Sequence, residues 1–72
     1  MHRGVLMSCL ASCNERLEQT DRNIIAQRKR VDAAAATGAD ASIPSGLLRV
    51  FQEIRRALLK RQDWLIVHIG TA

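Results

Sequence analysis

The sequence holds one proline, two cysteines and two aromatic residues, Phe51 and Trp64, with no tyrosine. Each scarcity removes a class of answer. Two cysteines cannot staple a small secreted domain of the multi-disulfide kind. Four residues apart on one helix face, Cys9 and Cys13 are also too distant for an unstrained bond within that helix. With aromatics at 3%, no ring interleaves with the basic side chains to give a stacking platform for single-stranded nucleic acid. No apolar run approaches the roughly 20 residues that span a bilayer, so no transmembrane helix is expected. Val, Ile, Thr and aromatics are sparse beside Ala, Leu, Arg, Gln and Glu, which favours helix over strand.

Catalytic patterns are missing as well. There is no Ser/His/Asp or Cys/His arrangement, no glycine-rich phosphate loop and no paired-carboxylate site. Glu15, Glu18, Asp21 and Asp32 fall on the polar side of the first helical segment. A helical hairpin also lacks the concave pocket that most enzymes need. Neither an enzyme nor a cofactor is expected.

What remains is one small domain. At 72 residues, with 47% hydrophobic and 25% charged content, the chain has a folded protein's composition. It buries a smaller share of its surface than a typical domain, so a lone copy is marginal. The net charge of +4 and sequence pI near 10.1 describe its field and leave its fold open.

From Ser8 to Ala36 there is neither proline nor glycine. Leu10, Leu17, Ile24 and Val31 recur every seventh position, the repeat of a narrow helical seam. The column three residues on reads Cys13, Thr20, Gln27 and Ala34, small or polar throughout. The first helix should stop near Gly38, a suitable left-handed residue past a helix end. Asp40 and Ser42 are candidate N-caps for the next helix, and Pro44 is tolerable in its first turn. The short connection favours antiparallel neighbours.

The second helical pattern is broader. Leu47, Phe51, Ile54, Leu58 and Leu65 follow spacings of three and four, with one step taken across Arg61. Leu48, Leu59 and Ile66 lie on a flank, and Val50, Ala57 and Trp64 form another seven-spaced column. That apolar arc exceeds what one facing helix covers, and it predicts another subunit. Trp64-Leu65-Ile66-Val67 has strand-like members, but no comparable run exists to pair with it. Helix is expected to continue to about Gly70.

Three further features carry chemistry of their own. Leu10-Ala11-Ser12-Cys13 has the form of a lipobox, which would anchor the chain as a small lipoprotein at Cys13. The apolar stretch before it is brief and contains Ser8 and Cys9, so a plain helix is preferred. An antiparallel hairpin returns His68 to the neighbourhood of Cys9 and Cys13, and two thiolates with an imidazole are zinc-type donors. Their helical spacing is not that of a zinc knuckle, and packing as small apolar side chains is preferred. Arg49, Arg56 and Lys60 share a stripe that offers nucleic acid a basic track. Glu53 and Asp63 lie along it and favour local pairing instead.

From about Leu17 to Ile69 the chain resembles a group of short, uncharacterised bacterial two-helix proteins. The residues that carry the resemblance are Ile24, Gln27-Arg28, Gly38-Ala39-Asp40 and Leu47-Leu48-Arg49-Val50-Phe51-Gln52-Glu53, followed by Asp63. It implies a hairpin turning at Gly38 and brings no activity. Pro44, Ser45 and Gly46 depart from the group's helix-forming preference, and the tail from Trp64 to Ile69 is more apolar than its usual charged ending.

Together these readings predict an all-α protein, an antiparallel helical hairpin that dimerises into a four-helix bundle. Residues 1–7 are expected to be a flexible amino terminus, 8–36 and 43–69 the helices, 37–42 the turn and 70–72 a tail. Leu17, Ile24, Val31, Phe51, Ile54, Leu58 and Leu65 should form the seam and interface, with Trp64 near one end. The expected role is cytoplasmic and regulatory or adaptor-like, with a second copy or another helical protein as partner. A nucleic-acid-binding four-helix dimer is the alternative, and a lipoprotein the third.

Overall fold

The computed structural model describes residues 2–71, and all but a few of these lie in two helices. Helix α1 spans Arg3–Ala36 and helix α2 spans Ser42–Thr71. Two cross-links set their relative direction. The Cys13 thiol donates to the carbonyl of Leu58 at 3.4 Å, and the Gln27 amide donates to the carbonyl of Pro44 at 2.9 Å. Moving forward along α1 therefore means moving backward along α2, and the hairpin is antiparallel.

Local chemistry explains where each helix starts and stops. The imidazole of His2 accepts the Gly4 N–H at 3.1 Å, satisfying one of the donors that the first turn leaves unpaired. At the other end Gly38 adopts a φ of 73°. Ala39 N–H reaches back to the Ala34 carbonyl at 2.9 Å, and Gly38 N–H to that of Ala35 at 3.3 Å. This is the paired closure of a helix by a left-handed residue. Of the two candidate caps, the carboxylate of Asp40 takes the role, accepting from the backbone N–H and hydroxyl of Ser42. Pro44 then falls in the first turn of α2, where its missing N–H costs no helical bond.

Both helices are longer than the sequence suggests. Residues 3–7, expected to be a flexible terminus, belong to α1. The reason is Leu6, 2% exposed in the core, which sits four residues before Leu10 and continues the seam by one turn. Gly70 and Thr71, expected in a tail, belong to α2, where the Thr71 hydroxyl bonds back to the carbonyls of Val67 and His68. Met1 and Ala72, the outer residues of those two segments, lie outside the described residues.

The molecule is a rod of 54 × 14 × 13 Å with a radius of gyration of 16.4 Å. A compact chain of this length would have a radius nearer 11 Å. A rod of two helices has one line of core, and here it consists of Leu6, Cys13, Leu17, Ile24, Leu58 and Leu65. Thr20 and Gln27 are buried in the same line. Thr20 bonds to the carbonyl of Arg16 in its own helix. Gln27 accepts from Arg30 at 2.9 Å while its amide donates to Pro44. Among the described residues no buried side-chain polar atom is left without a partner.

Candidate interaction surface

Helix α2 carries two apolar lines, and one of them is covered. The covered line runs Leu48, Phe51, Leu58, Gln62, Leu65 and Ile69, at spacings of three, four or seven, which hold one face of a helix toward its neighbour. Leu58 and Leu65 are 4% and 2% exposed, and Leu48, Phe51, Gln62 and Ile69 are half-buried. The second line repeats the pattern one residue earlier: Ile43, Leu47, Val50, Ile54, Ala57, Arg61 and Trp64. A shift of one residue rotates a helix face by about 100°, so α1 cannot cover both lines. Ile43 is 85% exposed, Trp64 47% and Ile54 38%, with Leu47 and Val50 between these limits.

The side of the hairpin that bears this second line is distinct from the other. On it, Arg61 and Trp64 border a cleft with Cys9 and Leu65. Arg61 continues into an adjoining groove with Ser12, Cys13 and Arg16 of α1. The opposite side carries the polar ties between the side chains of the two helices. There Arg55 pairs with Asp21 at 2.8 Å and Gln62 donates to Asn14 at 2.9 Å. A groove on that side mixes charged residues, Asp21, Arg28, Arg55 and Arg56, with apolar Ile24, Ile25 and Leu59. Other exposed apolar residues are Val5, Met7 and Ile25, and Ile66 and Val67 beyond the end of the line. Among the described residues, the line from Ile43 to Trp64 is the exposed apolar repeat that runs over most of a helix.

The residues singled out in the sequence divide accordingly. Leu17, Ile24, Leu58 and Leu65 are buried between α1 and α2, and Val31 and Phe51 are half-buried in the same seam. Ile54, expected in the same interface, is set apart from them. It follows the spacing of the second line, and the structure leaves it exposed. Trp64 is exposed as well, its ring stacked on that of His68 with centroids 3.8 Å apart and planes at 20°. His68 Nδ1 lies 2.7 Å from the carbonyl of Trp64, so this imidazole is engaged on its own helix. Cys13 is buried and bonded to Leu58, and Cys9 is half-buried at the edge of the cleft. Both cysteines are free. Cys9, Cys13 and His68 are not gathered into a set, and among the described residues no cluster of three metal-ligating side chains occurs.

Arg49, Arg56 and Lys60 are all exposed. Arg56 faces the groove that also holds Asp21, so the basic stripe is interrupted by acid from α1 as well as by Glu53 and Asp63 on α2. Among the described residues no helix is long and apolar enough to cross a membrane.

Two structural features escaped sequence reasoning. One is the exposed line as a unit, since Val50, Ala57 and Trp64 stood out as a column while Leu47 and Ile54 were grouped with Phe51 and Leu58. Its signal was available as the alternation of three and four from Ile43 onward, one residue out of phase with Leu48 and Phe51. The other is Gln27, read as a weak polar position and in fact a tie between the helices.

The comparisons with known proteins add no identity: no family model, no curated protein and no solved structure matches the chain.

Proposed function

We propose that this chain is a non-enzymatic protein-interaction module, regulatory or adaptor-like, that self-associates into a four-helix bundle. One observation carries the reading. The exposed line from Ile43 to Trp64 has the seam spacing of a packed helix, yet Leu58 and Leu65 already fill the seam toward α1. Single apolar residues are common on protein surfaces, but a line of them along one helix face, broken at Arg61, marks an interaction site. A two-helix rod this short also gains the stability it lacks by association.

Nucleic-acid binding has weaker support. Arg49, Arg56 and Lys60 supply charge, but Asp21 enters the same groove and the exposed ring nearest to a basic stripe, Trp64, is stacked on His68. A lipid anchor at Cys13 fares worse, because cleavage before that residue would remove Leu6, Cys9 and Leu10 from the packed core.

The test is the concentration dependence of unfolding. Folding coupled to association makes the melting temperature rise with protein concentration. A melting curve that superimposes over a hundredfold range of concentration contradicts self-association.

A further inference from the structure

The exposed line is apolar except at Arg61, and that exception indicates how a second copy docks. We propose that two copies pair antiparallel, α2 against α2, crossing at Ala57, so that Arg61 of each copy meets Glu53 of the other. This inference rests on the proposed self-association and adds its geometry.

Among the described residues Arg61 makes no ion pair. Its neighbours three and four residues away are Ala57, Leu58, Trp64 and Leu65, and the groove it borders adds a second cation, Arg16. The ion pair found among the described residues, Arg55 with Asp21, lies on the other side of the hairpin. Covering the apolar line desolvates part of this guanidinium, which is costly without a carboxylate to answer it.

Glu53 is the acid positioned to do so. It is exposed, shares the outer face of α2 with Arg49 and Arg56, and borders the apolar line two turns before Arg61. Eight residues of helix separate the two by about 12 Å, too far to pair within one copy. Ala57 lies midway between them and is the smallest side chain on the line. An antiparallel crossing at Ala57 therefore brings residue 53 of one helix beside residue 61 of the other, twice over by symmetry. It also sets Trp64 against Val50 of the other copy, and the small side chain at the crossing lets the helices approach closely.

The alternatives place like with like or apolar on polar. A parallel pairing sets Arg61 against Arg61 and Glu53 against Glu53, an arrangement that disfavours association. Laying α2 over α1 of the second copy would cover Leu47, Val50 and Ile54 with a face that presents Ser12, Arg16 and Asn23.

Charge reversal in the full chain distinguishes these arrangements, with association read by sedimentation equilibrium and helix content by circular dichroism. Glu53→Arg and Arg61→Glu each create two like-charge contacts in the antiparallel dimer. Each should weaken dimerisation by roughly tenfold or more with helix content retained. The double variant E53R/R61E regenerates both pairs and should recover most of the loss. Singles that dimerise like the parent, or a double variant as weak as the singles, overturn the antiparallel crossing while leaving self-association in place. A parent chain that remains monomeric throughout overturns self-association and this geometry together.

Discussion

The amide of Gln27, 2% exposed, donates to the carbonyl of Pro44 at 2.9 Å and so fastens the later part of α1 to the first turn of α2. Its oxygen accepts from Arg30, so both ends of a buried polar group are satisfied. Such a group holds register as well as energy, because a slip of one residue leaves it unpaired. Gln27→Ala removes the bond and opens a cavity, and the expected loss is about 1–3 kcal/mol. Urea unfolding followed at 222 nm measures it. An unchanged midpoint would show that the tie contributes nothing.

The two glycines that flank the turn should respond in opposite directions. Gly38 has a φ of 73°, which a side chain resists. Gly38→Ala should cost about 1 kcal/mol or more. Gly46 lies inside α2, and a methyl group added there meets nothing within 4 Å. Gly46→Ala should stabilise the protein by up to about 1 kcal/mol, through lower chain entropy in the unfolded state. Thermal melts of both variants beside the parent give the two signs directly.

Acid should weaken the start of α2. The side-chain bond to the Ser42 hydroxyl, and then the bond from the Ser42 backbone N–H, hold the Asp40 carboxyl below its ordinary 3.8. A depressed carboxylate contributes stability above its unfolded-state value, and that contribution fades as the pH falls through the folded-state value. The stability difference between the parent and Asp40→Asn should therefore be constant near neutrality and shrink below about pH 4. A difference that stays the same down to about pH 2 would show that the charge is not what Ser42 recognises.

Covered and uncovered leucine-like positions of α2 should behave as two classes. Leu58 fills the line of core, and Leu58→Ala should cost about 2–5 kcal/mol, enough to melt much of a marginal hairpin. Val50 faces outward at 48% exposure, and Val50→Ala should leave helix content intact while weakening association. Circular dichroism and sedimentation on the same samples separate the effects. Equal loss of helix in both variants would place Val50 in the monomer's own core.

Much of the hairpin was legible in the sequence because its signals are local. Gly38 and Asp40 act through their own backbone neighbourhoods, and the seven-residue repeat of Leu10, Leu17, Ile24 and Val31 depends on helix geometry alone. The start of α1 was missed because Leu6 has value only against α2, a contact between distant parts of the chain. Ile54 was placed in one seam with Leu58 and Leu65 for a related reason. Two apolar lines one residue apart both satisfy helical spacing, and only the position of α1 decides which is buried. Gln27 shows the same limit for polar residues, since its partner carbonyl becomes visible once the helices are paired.

The mass of the protein in solution bears most directly on the exposed line of α2. Size-exclusion chromatography with light scattering at micromolar concentration should give about twice the 8.0 kDa chain mass, and Ile54→Glu should return it toward the single-chain value with helix content preserved. A parent chain that runs as a fully helical monomer at that concentration, with Ile54→Glu indistinguishable from it, would mean the line needs no second copy.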